Sequence, residues 1–372
     1  MNFGTDHRVS LECRVLYLVG GLGLGGLERQ LFDLLSVMDR GRYKPAVAVW
    51  RYSHDDHYNQ AISSLDVPVI SIGDELSRLG KLQALRNLVS SIRPKVIHSY
   101  SFYTNFAAWW AARGMGTIPV GSSQNTFSFE RQDSGKILGR LCGRWPSAQV
   151  YNSFNAEQEA RQSKTMFRPQ RIYVVTNGVD LHRFSPRPHP DRGYILAIGS
   201  LFQRKRWDRL IRAVALLTSN GVRAEVVHVG SGPLRSELEA MTRSLGVEHL
   251  FQFLGNRHDL PALLGDAAFL THTADVEGCP NVVLETMACG RAVVGTSAGD
   301  IPYLVDDGKT GFVVPKEDGV ALADRMATLL NDRELCRRMG DAGRTKAEQA
   351  FGLDRFRSGI FSAYRAEGWG DM

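Results

Sequence analysis

Hydrophobic positions in this chain fall into two alternating rhythms. Short β-branched and aromatic runs, such as residues 14–20 (R-V-L-Y-L-V-G), end at glycine, serine or a polar turn. After the first of them Leu27, Leu31, Leu34, Leu35 and Met38 recur at three- and four-residue steps. The first rhythm predicts a short strand and the second one face of a helix. Further strands are expected at 44–51, 68–72, 96–98, 119–122, 149–152 and 171–175, and Leu79, Leu82, Leu85, Leu88 and Ile92 mark another helix face. Repeated strand–helix alternation predicts parallel sheets covered by helices. A proline- and arginine-rich segment at 186–192 reads as a linker. Alternation restarts at Tyr194, with strands at 194–199, 226–230, near 253 and at 268–271, and amphipathic helices across 320–350.

Length agrees with two such units, because 372 residues are too many for one ordinary core. With 43% hydrophobic and 23% charged residues the composition is that of a soluble globular protein. No apolar run approaches a membrane span, and the polar first ten residues argue against a signal peptide. Cys13, Cys142, Cys279, Cys289 and Cys336 are scattered without Cys-x-x-Cys spacing. They predict free thiols in a reducing cytoplasm, with neither a disulfide framework nor a zinc site.

Charge changes the picture for the first half only. Residues 1–180 hold 21 Lys/Arg against 15 Asp/Glu, whereas the remainder holds 24 of each, so the formal +6 lies in the first half, chiefly between Arg93 and Arg171. A basic half suits a phosphate-bearing acceptor or the anionic inner face of a membrane. It equally suits a solvated surface. Nucleic acid is not expected, since the basic residues form no run and no nucleic-acid motif accompanies them.

Candidate chemistry concentrates in residues 275–300, D-V-E-G-C-P-N-V-V-L-E-T-M-A-C-G-R-A-V-V-G-T-S-A-G-D. Glu277 and Glu285 are eight positions apart, so on one unbroken helix roughly 80° would separate them and they would not share a face. A break is expected instead. Pro280 suits the first helical position and Cys279 the cap, which leaves Glu277 in the loop and Glu285 in the second turn. The amides of Asn281, Val282 and Val283 then point out of the helix start, where they and the helix dipole favour a phosphate. A phosphate between two carboxylates describes a nucleotide sugar.

Earlier in the chain, Gly21, Gly23 and Gly26 satisfy G-x-G-x-x-G after a strand and before a helix, which raises a nicotinamide-dependent oxidoreductase. The acidic residue expected at the end of the second strand is missing, because that strand ends on Trp50 and Arg51.

The string E-G-x-P-N-x-x-L-E-x-M-A-x-G, followed by V-V-x-T and a glycine turn, resembles the retaining glycosyltransferases of family 4. So do Gly25-Gly26-Leu27-Glu28-Arg29, Asn177-Gly178-Val179-Asp180, Lys205 after the 194–199 strand, the turn Gly230-Ser231-Gly232-Pro233 and Asp307-Gly308-Lys309-Thr310-Gly311. The resemblance implies a GT-B fold: α/β, with two Rossmann-like doubly wound domains facing a central cleft. It places an acceptor domain at 1–185, a nucleotide-sugar donor domain at 186–353 and a last helix from 354 that crosses back to the first domain. The implied reaction is transfer from a UDP- or GDP-sugar, with retention, to a cell-envelope or lipid-linked glycan.

By the same resemblance Glu277, His98 and Lys205 are the candidate catalytic residues. Gly25, Gly26, Arg204, Lys205, Gly230, Asn256, Arg257, Glu277, Gly278, Pro280, Asn281, Val282 and Glu285 are the candidate donor contacts. Glu285 would hold the ribose, Lys205 the diphosphate, and Arg257 would stack on the base. No metal or other cofactor is expected, since no Asp-x-Asp motif is evident and a lysine with a helix dipole can replace a metal. The chain departs from the pattern at Ser200 (usually Arg), Arg206 (Gly), Ala274 (Ser), Gly299-Asp300-Ile301-Pro302-Tyr303 (Gly-Gly-x-x-Glu) and His98-Ser99-Tyr100 (His-x-His). The donor-sugar contact is therefore open among His98, Tyr100 and Tyr103, and the second diphosphate charge between Arg204 and Arg206. A binding protein that kept the fold without catalysis is the other alternative.

Overall fold

A computed structural model describes residues 12–370. The chain divides into two compact units. Of the described residues the first comprises 12–152, 157–175 and 357–370, and the second 153–156 and 176–356.

The first unit is built on seven parallel strands: β1 (Val15–Val19), β2 (Pro45–Val49), β3 (Val69–Ser71), β4 (Val96–Ser99), β5 (Ile118–Ser123), β6 (Ala148–Tyr151) and β7 (Arg171–Val174), in the order β3-β2-β1-β4-β5-β6-β7. β1, β2 and β4 are buried along their whole length. Burial on both faces is why they read as continuous apolar runs instead of alternating ones. Leu16, Leu18, Ala46, Ala48 and Ile97 fill one side against the helices Arg78–Ile92 and Asn105–Ala112. The final residues belong to this unit through aromatic packing of Tyr364, Phe361 and Trp369 with each other and with Tyr43.

Six parallel strands form the second sheet: β8 (Tyr194–Ile198), β9 (Val226–Val229), β10 (Phe251–Phe253), β11 (Ala267–His272), β12 (Ala292–Thr296) and β13 (Gly311–Val314), ordered β10-β9-β8-β11-β12-β13. Successive residues of β8 enter opposite cores, Ile195 and Ala197 on one side and Leu196 and Ile198 on the other. Both units are Rossmann-like parallel α/β layers, as the alternation predicts.

Residues 176–185, expected in the first domain, pack within the second unit. Val179 donates its amide to Phe351 O at 2.8 Å, and the Asn177 side chain donates to Cys279 O at 2.8 Å and Asn281 Oδ1 at 2.6 Å. The 186–192 linker is fixed to the same unit. Buried Arg291 donates to Arg187 O at 3.0 Å, Pro188 O at 2.9 Å and Ala267 O at 2.9 Å.

Candidate functional site

In the second unit the carboxyl end of β11 and the turn after β8 come together. That is where parallel α/β sheets carry their ligands. Two hydrogen bonds join the two loops, Asp275 N to Arg204 O at 2.8 Å and Thr273 Oγ1 to Lys205 O at 2.9 Å, and Thr296 Oγ1 at the end of β12 donates to Ala274 O at 2.7 Å. They bring the Lys205 ammonium onto the Glu277 carboxylate, with each side chain about 14% exposed. Beneath the pair His272 ends β11, 1% exposed, with Nε2 at 3.3 Å from Glu277 Oε1. Burial alone would push the Glu277 pKa up. Lys205 and His272 together outweigh it and hold the carboxyl down at about 2. His272 is itself lowered by burial, which the neighbouring Glu277 only partly offsets.

The Glu277 backbone is fixed as firmly as its side chain. Asp300 N donates to Gly278 O at 3.0 Å, and Gly299 lies in left-handed backbone at φ +50° with its α-carbon against Glu277 O. A Cβ there would sit 2.3 Å from that oxygen. The Asp300 carboxylate accepts from Ser153 Oγ at 2.7 Å and from the amides of Phe154 and Asn155 at 2.9 Å each.

Asn281–Ala288 is the helix after the glutamate loop. It starts one residue later than expected. Pro280, extended at φ −72° and ψ 114°, is its cap residue and not its first helical one, and the Val283 amide donates to Pro280 O at 3.1 Å. That amide therefore does not point out of the helix as the sequence suggested. Glu285 lies in the second turn and is 2% exposed.

Across the sheet Gly230, at φ +135°, passes so close to Gly199 that a Cβ would stand 2.1 Å from Gly199 O, and its amide donates to Gly255 O at 2.8 Å. Asn256 and Arg257 follow. The Arg257 guanidinium forks onto Asp259 at 2.9 and 2.6 Å. Arg204 lies 5.6 Å from the Phe202 ring, whereas Arg206 is committed to Asp208 (3.0 Å twice) and Asp275 (3.1 Å). Arg206 takes φ +51°, which explains why the family pattern has glycine at this position. Nearly buried Arg209 completes the cluster, bonding Asp275 Oδ1 and Glu317 Oε1 at 2.6 Å each.

Sequence reasoning missed His272 and the Arg206–Asp275–Arg209 network. His272 closes an apolar strand, A-A-F-L-T-H, and nothing in that spacing marks it.

Gly25, Gly26 and His98 belong to the first unit. The expectation that His98 serves the donor sugar is not met in this structure. The ring is fully buried, with Nδ1 at 2.7 Å from Tyr364 Oη and Nε2 at 2.8 Å from Ser122 Oγ, and burial lowers its pKa to about 3. A neutral histidine with both nitrogens engaged has none left for a ligand. Tyr100 is buried as well. Tyr103, in contrast, lines a cavity of about 560 Å³ with Gly20, Glu28, Arg51 and Asp56, and its hydroxyl accepts from Arg51 at 3.1 Å. Gly25 caps the glycine-loop helix, Gly26–Ser36. At that loop Asp56 Oδ2 accepts the Leu22 amide at 3.0 Å, and Glu28 occupies the first helical turn.

Among the described residues no group of three or more His, Cys, Asp or Glu side chains is placed to hold a metal ion, and no helix is long and apolar enough to cross a membrane. The five cysteines are free and buried.

Two family models divide the chain between them. The model for glycosyl transferases group 1 matches residues 179–346, and that for glycosyltransferase family 4 matches residues 24–183. The chain belongs to glycosyltransferase family 4. Lys205, Glu277 and Glu285 of this family 4 chain fall in the first match, and Gly25, Gly26 and His98 in the second.

Among curated relatives, the GDP-mannose-dependent alpha-(1-6)-phosphatidylinositol monomannoside mannosyltransferase of Mycolicibacterium smegmatis is 36% identical over 187 residues, 45% of this chain and 49% of that protein. The D-inositol 3-phosphate glycosyltransferase of Actinosynnema mirum is 31% identical over 255 residues, 59% of this chain and 60% of the relative. The matches thus span about half the length of these curated relatives. In fold, the chain is similar to Anabaena Alr3699/HepE, solved in complex with UDP-glucose. The TM-score is 0.81 at 20% identity, covering 95% of this chain and 99% of the other.

Proposed function

We propose that this family 4 chain transfers a glycosyl group from a nucleoside diphosphate sugar to a hydroxyl-bearing acceptor, with retention of configuration and without a metal ion. The observation that carries the proposal is the Lys205–Glu277 pair, set at the strand ends of the second unit beside a helix start. A lysine already drawn to a carboxylate is placed to be captured by a diphosphate, which offers it more charge. The freed Glu277 then faces the sugar, holds its hydroxyls and favours positive charge at the anomeric carbon. Lys205 and the start of the 281–288 helix stabilise the negative charge that grows on the leaving phosphate. Glu285 holds the ribose. With one glutamate of the pair so engaged, a two-carboxylate mechanism with a covalent intermediate is not favoured. The bond from the anomeric carbon to the phosphate oxygen breaks while the acceptor oxygen bonds on the same face, and the acceptor's hydroxyl proton passes to the departing phosphate.

UDP- and GDP-sugars are the donors in view, since a mannosyltransferase relative is named GDP-mannose-dependent and the Anabaena structure holds UDP-glucose. The acceptor is a hydroxyl-rich portion of a cell-envelope or lipid-linked glycan. The first-unit cavity, lined by Glu28, Arg51, Asp56 and Tyr103, supports a polyol with groups that pair with hydroxyls.

Thermal stabilisation by nucleotides and nucleotide sugars tests the donor half. A ligand at 100 times its Kd should add about 2.7 kcal/mol, a shift of a few degrees. The expected result is stabilisation by one nucleoside diphosphate, unaltered by EDTA, and loss of transfer in Glu277→Ala. Stabilisation by NAD alone would overturn the reading.

A further inference from the structure

His272 sits against the Lys205–Glu277 pair, and the proposed transfer gives it no task. Alternation along β11 turns it to the same side as Leu270, which shares a core with Val283, Leu284 and Met287 of the 281–288 helix. At the carboxyl end of the strand this side meets the glutamate loop. The ring is almost wholly buried, and among the described residues neither of its nitrogens makes a hydrogen bond. Nε2 nevertheless stands 3.3 Å from Glu277 Oε1, close enough for a hydrogen bond but not aligned for one. Lys205 Nζ occupies that same oxygen. Buried polar groups are nearly always hydrogen-bonded, so an imidazole left idle beside an acceptor that another donor holds points to a second state in which it is used.

We propose that His272 is a positioning residue that takes over Glu277 when a diphosphate draws Lys205 away. Its Nε2–H then donates to Oε1 and keeps the carboxylate ionised and aimed, with Oε2 towards the sugar. The effect on turnover rests on the proposed transfer, whereas the exchange of partners needs only Lys205, Glu277 and His272. Three groups face Glu277: Lys205 from the turn after β8, His272 from β11, and within the loop the Cys279 thiol, which burial keeps protonated. Burial lowers the His272 pKa as well, so near pH 7 the ring is neutral and offers one N–H. With Lys205 on the diphosphate and no donor from His272, burial would drive a proton onto Glu277. A protonated carboxyl no longer favours positive charge at the anomeric carbon.

Nuclear magnetic resonance of the histidine rings in 15N-labelled protein reads the exchange directly, and His272→Gln assigns the signal by its loss. The His272 Nε2 proton is expected to move downfield when UDP or GDP binds and to stay in place with uridine or guanosine. Lys205→Ala should show the shifted signal without any ligand, since Glu277 then has His272 as its remaining donor. An unmoved signal in Lys205→Ala would overturn the inference, whatever the reaction proves to be. In turnover, His272→Leu removes a hydrogen bond to a charged group and should lower kcat roughly 10- to 100-fold, with KM for the nucleotide sugar little changed. The acid limb of kcat should move to higher pH by about one unit or more, because Glu277 is left buried without a donor. His272→Gln keeps an N–H donor and should restore most of the rate and the wild-type limb. Equal loss in both variants with wild-type acid limbs would overturn the proposal, since His272 would then act by packing alone. Absence of transfer by the wild-type protein from every nucleotide sugar would count against the proposed reaction, and the resonance shift in Lys205→Ala would still decide the role of His272.

Discussion

Lys205 and Glu277 hold each other in the absence of donor, and this makes opposite predictions for their replacement. Lys205→Ala removes a charge-assisted contact to the diphosphate, worth about 1.5–3 kcal/mol, so affinity for UDP or GDP should fall roughly 10- to 150-fold. Affinity for the bare nucleoside should stay as it is, because Glu285 is untouched. Glu277→Gln releases Lys205 from its competitor and takes a negative charge away from the incoming phosphates. With that competitor gone, the nucleoside diphosphate should bind at least as tightly as before. Transfer should nevertheless be lost, since the carboxylate that meets the developing positive charge is gone. Calorimetric titration with nucleoside, nucleoside diphosphate and nucleotide sugar separates these effects. Equal weakening of diphosphate binding in both variants would refute the reasoning, because the pair would then act as one structural unit and not as competitors for Lys205.

Three further outcomes are expected. His228 and His272 in the second unit and His98 in the first are buried with lowered pKa values, about 3 for His98 and His228. The unfolded chain takes up their protons first, so each costs about 1.4 kcal/mol per pH unit as pH falls below 6.5. In the first unit Glu130, raised by burial to about 7, gains stability from about pH 7 down to 4.5 and offsets His98. In the second unit Glu277 adds a further loss as pH falls from 4.5 towards 2, and Asp300, raised by burial, works in the opposite direction above about pH 3.8. Calorimetric scans from pH 7 to 5 should therefore show the second unit melting progressively earlier than the first, and parallel shifts would contradict this. Gly299→Ala forces a side chain into left-handed backbone against Glu277 O, at a cost of at least about 1–2 kcal/mol. It should abolish transfer while diphosphate binding persists, and retained turnover would show that the Glu277 loop is not held there. Tyr364→Phe leaves His98 Nδ1 buried without its partner, costing about 1–3 kcal/mol in urea unfolding. Nucleotide affinity should not change, and a nucleotide defect in this variant would return His98 to the donor site.

How far the site could be read in advance depended on whether its signal was local. The Glu277-to-Gly290 run carries its own turn, cap and helix, so the loop position of Glu277 and the second-turn position of Glu285 follow from spacing, with the helix start displaced by one residue. Parallel strands were legible as continuous apolar runs because both faces are buried. β12, an apolar run inside the glutamate motif, and β13, which opens on glycine and is followed by proline, were not anticipated as strands. What distance hides was not legible. Tyr364 lies 266 positions from the histidine it engages, and a strand-end His98 could equally have faced a ligand. Arg206 looked like a spare charge for the diphosphate, yet Asp208 and Asp275 hold it, and its left-handed backbone is what the family's glycine supplies without strain.

The same distinction decides between the two readings of the glycine loop. A G-x-G-x-x-G turn binds pyrophosphate through free amides and the positive end of the following helix, so the space before that helix must be open to an anion. Here the Asp56 carboxylate, 34 residues away, already accepts the Leu22 amide, and Glu28 stands in the first turn. Burial raises the Glu28 pKa, and the neighbouring Asp56 carboxylate adds to it. A pyrophosphate arriving there would meet a cavity lined by four carboxyl groups, Glu28, Asp56, Glu130 and Asp133, with Arg51 as the one cation among the lining residues. Sugar hydroxyls face no such repulsion, because they donate to carboxylates and accept from Arg51. Identical glycines thus carry opposite chemistry according to the side chains folded against them. In this chain they favour a neutral polyol over NAD, which agrees with the proposal that Lys205 and the 281–288 helix of the other unit take the diphosphate.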